Sequence, residues 1–140
     1  MATIHFVYGS IALEKFILPI CKHQGRPFKI YLLTNDNSLV TLNRNVFVLP
    51  SWVRFKLQSI KDIFLIPVTI IFISVLLIRQ RPRCVVSHMT MNSPIILSCA
   101  FLVGIPRRIY FNHGFPYLGY RGILKPLLFA IEIYNFLLSS

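Results

Sequence analysis

The sequence predicts an α/β fold in which a parallel sheet is flanked by helices. Short runs rich in β-branched and aromatic residues alternate with longer helix-like runs along the 140 residues. Strands that alternate with helices form a parallel sheet through right-handed crossovers. The apolar content of 55% is high for a small domain, and it favours either a sheet covered on both faces or contact with a membrane. We therefore expect one domain over residues 1–140 with a Rossmann-like layer arrangement.

The individual elements are predicted from hydrophobic periodicity and from turn residues. Strands are expected at residues 4–8, 28–33, 46–49, 84–88 and 108–112. Helices are expected at residues 11–23, with an interruption at Pro19, at 63–78, at 94–103, and from 123 onward. Residues 34–45 are rich in Asn, Asp, Ser and Thr, which predicts a loop around a weak apolar segment at 39–42.

Residues 63–78 raise the question of a membrane segment. These sixteen residues carry no charge and are followed closely by three arginines, a pattern typical of a membrane span with a positive flank. The run is shorter than the roughly 20 apolar residues that a span needs, and it contains a proline and two hydroxyl residues. We therefore expect a helix that is buried or lies in the lipid interface. The alternative is a small non-enzymatic membrane protein anchored by residues 63–78.

The charge of the chain indicates an anionic partner. Fifteen basic and four acidic residues give a formal net charge of +11, which attracts anionic lipid headgroups, phosphorylated substrates or nucleic acid. Nucleic acid is disfavoured because the basic residues are spread along the chain, without a basic helix, zinc-finger spacing or an RNP-type motif. Three widely spaced cysteines among apolar neighbours predict reduced core thiols and a cytosolic compartment. The N-terminus lacks the pattern of a secretory signal peptide.

Small and polar residues occur at three junctions where an expected strand gives way to a loop. They are Gly9 with Ser10, His88 with Asn92, and Asn112 with His113 and Gly114. Because ligands bind at the carboxyl ends of parallel strands, and helix N-termini there attract phosphate, we expect these junctions to form an anion-binding cleft. His113 is either a reactive or binding group in that cleft or a histidine that hydrogen-bonds a loop. Gly114 would let the backbone turn sharply beside a ligand.

The carboxylates argue against several classes of enzyme. Glu14, Asp36, Asp62 and Glu132 are scattered, so the sequence contains no pair suited to glycosidase chemistry or to holding magnesium. Glu132 is expected to be a buried hydrogen-bond anchor or a solvated residue. Ser10 lies in no G-x-S-x-G elbow and is expected to cap a helix rather than act as a nucleophile.

Several segments of this chain match one known family in order. They are FILPI at 16–20, Gly25 before the second strand, VVSH at 85–88, GIPRRIY at 104–110, NHGF at 112–115, and the leucine-rich stretch from Leu124 to Glu132. In this order the segments resemble the N-terminal, acceptor-side domain of GT-B glycosyltransferases of family 4. The similarity is greatest to bacterial enzymes that build lipid-linked oligosaccharides and surface polysaccharides.

The resemblance implies transfer of a sugar from a nucleotide-sugar donor to a lipid-linked or polysaccharide acceptor, with no metal or other cofactor, at the inner face of the plasma membrane. It implies that His113 is catalytic, near the donor sugar and the reacting hydroxyl. The substrate-binding residues would be Gly9 and Ser10 near the diphosphate or acceptor, His88 and Asn92 on the acceptor side, and Asn112 and Gly114 beside His113. The expected partners are an anionic membrane surface, the lipid-linked acceptor and no nucleic acid.

The family pattern also includes a second Rossmann-like domain with nucleotide-binding basic residues and a Glu-x7-Glu motif. Residues 1–140 contain neither. We therefore expect this chain to supply the acceptor half of a GT-B fold, with a separate donor-binding domain completing the cleft. Because catalysis needs donor and acceptor held together, we expect negligible transferase activity from this chain alone.

Overall fold

The computed structural model describes residues 2–8, 13–23, 25, 27–33, 44–53 and 60–140. The strands are β1 (Thr3–Tyr8), β2 (Phe28–Leu33), β3 (Val46–Val48), β4 (Cys84–His88) and β5 (Arg107–Phe111). The α-helices are α1 (Leu18–His23), α2 (Ile60–Gln80), α3 (Ser93–Leu102) and α4 (Leu124–Leu138). A π-helical turn at Leu13–Ile17 leads into α1, and a 3-10 turn at Pro116–Gly119 precedes α4.

The five strands form one parallel sheet in the order β3-β2-β1-β4-β5. The chain builds outward from β1 to β3, then crosses to the other side of β1 to add β4 and β5. The strand order therefore reverses between β1 and β4, and such a switch point is where open parallel sheets bind ligands. Strands flanked by helices in this order confirm the predicted Rossmann-like α/β fold.

Helices cover both faces of this sheet, and alternate residues of each strand enter different cores. Ile4 and Phe6 of β1 pack with Ile73 of α2 and Ile96 of α3 in the larger core. Val7 of β1 points to the other face, where the smaller core holds Leu13, Ile17 and Cys21 from the segment that ends in α1. Each fully buried large side chain contributes about 1.5–3 kcal/mol through removal of its apolar surface from water.

The chain turns tightly from α3 into β5 because a glycine follows the helix. Gly104 adopts φ +74°, a left-handed conformation that a side chain disfavours. Its N–H donates to the Phe101 carbonyl at 3.0 Å, and the next N–H, of Ile105, donates to the Ala100 carbonyl at 2.9 Å. These bonds satisfy carbonyls that the end of the helix would otherwise leave unpaired.

The structure corrects several predicted boundaries. Pro19 does not interrupt the first helix, because it stands where the backbone changes from π to α hydrogen bonding and a missing N–H is tolerated. Strand β5 begins and ends one residue earlier than expected, so Asn112 lies in the loop beyond it. The weak segment at 39–42 lies outside the described residues.

Helix α2 is longer than the predicted 63–78 and has two unlike sides. Thr69, Ile73 and Leu77 are buried against the sheet and α3. The opposite side exposes an apolar row at helical spacing, consisting of Phe64, Val68, Ile71, Val75 and Ile78. No helix within the described ranges has the length and apolarity needed to cross a membrane.

Candidate functional site

The carboxyl ends of β4 and β5 meet at a cavity beside the switch point. Its volume is about 450 Å³, and Tyr8 at the end of β1 forms part of its wall. The loop after β4 contributes Thr90 and Asn92, and the loop after β5 contributes Asn112, His113 and Gly114. The backbone joins the two strand ends directly, since the Met89 N–H donates to the Phe111 carbonyl at 3.4 Å.

A row of three histidines runs from the interior of the sheet to this cavity. His5 Nδ1 lies 3.2 Å from His88 Nε2, and His88 Nδ1 lies 3.2 Å from His113 Nε2. The rings are stacked, with centroid separations of 5.5 Å between His5 and His88 and 5.4 Å between His88 and His113. At the inner end, Cys21 Sγ lies 3.5 Å from His5 Nε2. Contacts between ring nitrogens therefore connect the buried Cys21 thiol of α1 to the carboxyl ends of the strands.

Burial keeps the inner members of this row uncharged at neutral pH. Desolvation lowers the pKa of His5 to about 4. For His88, desolvation and then the neighbouring His5 and His113 lower the pKa to about 3. Burial raises the pKa of the Cys21 thiol to about 11, so this group remains protonated. The His113 side chain, in contrast to these three buried groups, is exposed at the edge of the sheet.

A second network holds the same two loops from the opposite face of the sheet. The buried Glu132 carboxylate of α4 accepts hydrogen bonds from Thr90 Oγ1 at 2.7 Å, Tyr110 Oη at 2.7 Å and Asn112 Nδ2 at 3.2 Å. Asn135, one turn further along α4, donates to the Thr90 carbonyl at 3.0 Å. Burial, together with the adjacent carboxylate, raises the pKa of the Tyr110 hydroxyl. One helix thus ties the end of β4 to the end of β5.

This network fixes the loop that carries His113. Asn112 donates to Glu132 through Nδ2, and its Oδ1 accepts the Gly114 N–H at 2.9 Å. These two hydrogen bonds hold Asn112 and Gly114, the residues immediately before and after His113. Because both a buried anchor and a local turn hold this loop, the His113 ring is positioned without a large loss of side-chain entropy on binding.

The loop after β4 also contains a strained residue and a buried hydroxyl pair. Met89, directly after His88, adopts φ +79°, which is rare outside glycine, and strained residues of this kind cluster at functional sites. Ser93 Oγ donates to the Met89 carbonyl at 2.8 Å and lies 2.9 Å from Ser87 Oγ. These contacts turn the chain sharply from β4 into α3 and so place Asn92 at the cavity.

The structure brings most of the sequence-predicted site residues together. His88, Asn92, Asn112, His113 and Gly114 all lie at the carboxyl ends of β4 and β5. His88 and Asn92 are buried, and both ring nitrogens of His88 contact other histidines. Gly9 and Ser10 lie outside the described residues. The roles of these residues in binding and catalysis stay predictions.

Sequence reasoning missed the residues behind the cavity. His5 is not among the site residues predicted from the sequence, although it makes the inner link of the histidine row. Thr90 and Tyr110 were not singled out, although both bond Glu132. Of the two alternatives for Glu132, the buried anchor is confirmed. A useful signal was available for His5, because it alternates with the apolar Ile4 and Phe6 in a strand buried on both faces.

Two further observations concern metal binding and a second groove beside the histidine row. Among the residues that the structure describes, no group of three or more His, Cys, Asp or Glu side chains is arranged to hold a metal ion. A separate groove of about 510 Å³ lies on the α1 side of β4 and β5, and Thr3, His5, His88 and Arg107 contribute to its lining.

Comparison with solved structures relates this architecture to a sugar-nucleotide enzyme. The chain resembles the crystal structure of UDP-GlcNAc 2-epimerase from Neisseria meningitidis bound to UDP-GlcNAc, with a TM-score of 0.62 and 20% sequence identity. The two share a GT-B-like Rossmann fold. The match covers 99% of this chain and 39% of the epimerase, so the chain spans less than half the length of that protein. No protein-family model and no curated protein sequence matches the chain.

Proposed function

We propose that this chain is the acceptor-side domain of a glycosyltransferase that acts on nucleotide sugars, of the GT-B family 4 type. The observation that carries the proposal is the fixed presentation of His113 at the switch-point edge, with a histidine row behind it and the Glu132 network beneath its loop. A cleft that transfers a sugar needs a positioned polar group close to the reacting hydroxyl. In this proposal His113 is that group, and Asn92, Asn112 and Gly114 contact the acceptor.

In this proposal the other wall of the cleft comes from a separate donor-binding domain. The reaction requires both substrates in one cleft, so the chain by itself should bind an acceptor and should not transfer sugar. This division of labour separates the proposal from a complete enzyme, in which one chain would bind and turn over the nucleotide sugar.

Binding measurements on the purified chain test the proposal. A geranyl-diphosphate-linked N-acetylglucosamine serves as the acceptor probe, and UDP-GlcNAc serves as the donor probe, both titrated by calorimetry. We expect the lipid-linked sugar to bind and His113→Ala to weaken that binding about tenfold, the loss of one hydrogen bond to a charged group. His23→Ala, at the exposed end of α1, is the matched control. Equal affinity in wild type and His113→Ala would contradict the proposal.

A membrane surface is the proposed location of the acceptor. The exposed apolar row of α2, Phe64, Val68, Ile71, Val75 and Ile78, ends beside three exposed arginines, Arg79, Arg81 and Arg83. Of the acidic residues that the structure describes, Asp62 and Glu132 are buried, and Glu14 precedes α1 on the other face of the sheet. An apolar row with basic neighbours, on a helix whose one described carboxylate, Asp62, is buried, suits an anionic lipid interface. The three arginines would add about 3 kcal/mol of attraction to such a surface.

Flotation with phosphatidylglycerol vesicles tests this location. We expect the chain to float with the vesicles at low salt and to be released at high salt, because salt screens the arginines. Ile71→Glu should abolish flotation, whereas Ile20→Glu, an equally drastic change on exposed α1, should not. Retention that resists both high salt and alkali would contradict surface docking.

A second candidate is a sugar-nucleotide epimerase, favoured by the structural similarity to UDP-GlcNAc 2-epimerase. The two candidates differ in what happens to the donor. An epimerase converts UDP-GlcNAc to its C2 epimer without an acceptor, whereas a transferase consumes it only when an acceptor is present. Proton NMR of UDP-GlcNAc incubated with the chain in deuterated water distinguishes them, since epimerisation would exchange the C2 proton.

A further inference from the structure

The contacts of the histidine row allow two arrangements of protons. In the first arrangement Cys21 donates to His5, His5 donates to His88, and His88 donates to His113, with each ring protonated on Nδ1. In the second arrangement every bond runs the other way, and each ring is protonated on Nε2. The two arrangements present different chemistry at the cavity, because His113 has its proton on Nδ1 in the first and on Nε2 in the second.

The inner end of the row decides between them. Cys21 Sγ lies 3.5 Å from His5 Nε2, and both groups are buried. A thiol sulfur is a weak acceptor, whereas an unprotonated imidazole nitrogen is a good one, so the better bond has the S–H donating to the ring. The thiol keeps its proton at neutral pH because burial raises its pKa to about 11. His5 Nε2 is then the acceptor, and the His5 proton must lie on Nδ1.

The remaining bonds follow from that first assignment. His5 Nδ1–H donates to His88 Nε2 across 3.2 Å, so the His88 proton lies on Nδ1. His88 Nδ1–H in turn donates to His113 Nε2 across 3.2 Å. We propose that Cys21, His5 and His88 are positioning residues that hold His113 as the Nδ1–H tautomer, with Nε2 already engaged as an acceptor.

This assignment gives His113 the role of a hydrogen-bond donor to the substrate and so deepens the proposed function. The identity of that substrate rests on the proposed function. A neutral imidazole N–H can polarise an oxygen of the substrate without carrying a charge. The substrate class that fits is a sugar diphosphate, whose oxygens accept hydrogen bonds. Because His113 Nε2 accepts from His88, the other ring nitrogen, Nδ1, carries the proton, so His113 serves as a donor rather than as a general base.

Nitrogen-15 NMR of the full chain at pH 7.5 tests the assignment. Protonated and unprotonated ring nitrogens differ widely in nitrogen-15 chemical shift. Two-bond couplings to the carbon-bound ring protons assign each nitrogen as Nδ1 or Nε2. In wild type we expect Nδ1 of His5, His88 and His113 to have the pyrrole-like shift and Nε2 the pyridine-like shift. Cys21→Ala removes the donor, and we expect the three rings to change to Nε2–H. Cys21→Ser restores an O–H donor and should restore the wild-type pattern.

Cys99→Ala is the matched control, because Cys99 is a buried thiol in the other core that donates to the Ile70 carbonyl at 3.6 Å. It should leave all three tautomers unchanged. Nε2–H tautomers in the wild-type chain would overturn the proposal, as would an unchanged pattern in folded Cys21→Ala. If Cys21→Ala does not fold, the wild-type spectrum and Cys21→Ser decide the matter. The readout needs no substrate, so a failure of the proposed function leaves this test intact.

Discussion

Acidification should destabilise this fold through its two buried histidines. In the unfolded chain His5 and His88 bind a proton near pH 6.5, whereas in the fold their pKa values are about 4 and about 3. Between those limits the unfolded state holds more protons, so the free energy of unfolding falls as the pH falls. The stabilisation is complete above pH 6.5 and is lost progressively down to about pH 3.

The size of the effect follows from the difference in pKa. One pH unit below 6.5 costs about 1.4 kcal/mol for each histidine, so a change from pH 7 to pH 5 costs about 2 kcal/mol for each and about 4 kcal/mol in all. A domain of this size has a total stability of about 5–15 kcal/mol, and the loss is therefore large.

Urea denaturation followed by circular dichroism at several pH values measures the loss. His5→Gln replaces the titrating ring by an amide that can still hydrogen-bond. Between pH 7 and pH 5 the free energy of unfolding of this variant should therefore fall by about 2 kcal/mol instead of about 4 kcal/mol. His23→Gln should behave as wild type, because the His23 side chain is exposed at the end of α1. Parallel pH dependence in wild type and His5→Gln would refute the reasoning.

Three further changes are expected to have distinct effects. In urea denaturation, Glu132→Leu should lower the free energy of unfolding by at least about 2 kcal/mol, because it leaves the Thr90, Tyr110 and Asn112 donors without their acceptor. Glu132→Gln keeps an acceptor oxygen and should lower it by less. Equal losses in the two variants would contradict the assigned hydrogen bonds. Gly104→Ala should cost about 1–2 kcal/mol in thermal unfolding, because φ +74° strains a side chain although nothing lies within 4 Å of the added Cβ. Gly119→Ala is its control, since the space there is equally open and the backbone is not left-handed, and similar losses in both variants would count against strain. His113→Ala should lower the free energy of unfolding by about 1–3 kcal/mol at most, the cost of leaving the buried His88 Nδ1–H without its acceptor, because the His113 side chain itself is exposed. A larger loss would make His113 a structural residue.

Much of the fold could be predicted because its signals are local. Apolar runs such as Val85 to Ser87 and turn residues such as Gly104 act within a few positions of themselves, and they place the strands and helices in order. The errors occurred where tertiary or backbone geometry decides. Pro19 is an example, since its tolerance depends on a π turn that no local preference indicates. The exposed side of α2 could not be assigned from a run that is apolar all round.

The candidate site was predictable only in part, for a physical reason. His88, Asn112 and His113 could be placed because the ends of consecutive strands lie at one edge of a parallel sheet. His5 could not be joined to them, because the contact depends on β1 lying beside β4, and 83 residues separate His5 from His88. The Glu132 network depends in the same way on how α4 packs. A single sequence reveals strand ends, whereas the neighbours of those ends require the topology.

We propose that the edge between β4 and β5 is the sugar-phosphate site of this chain. Chemical-shift mapping with the geranyl-diphosphate-linked N-acetylglucosamine tests it most directly. As the probe is added, we predict the largest changes in amide chemical shift at Asn92 and at Asn112 to Gly114, together with a change in the Nδ1–H shift of His113. In His113→Ala we predict smaller amide shift changes at the same probe concentration. Shifts confined to the exposed row of α2, or to the groove on the α1 side of the sheet, would contradict the account.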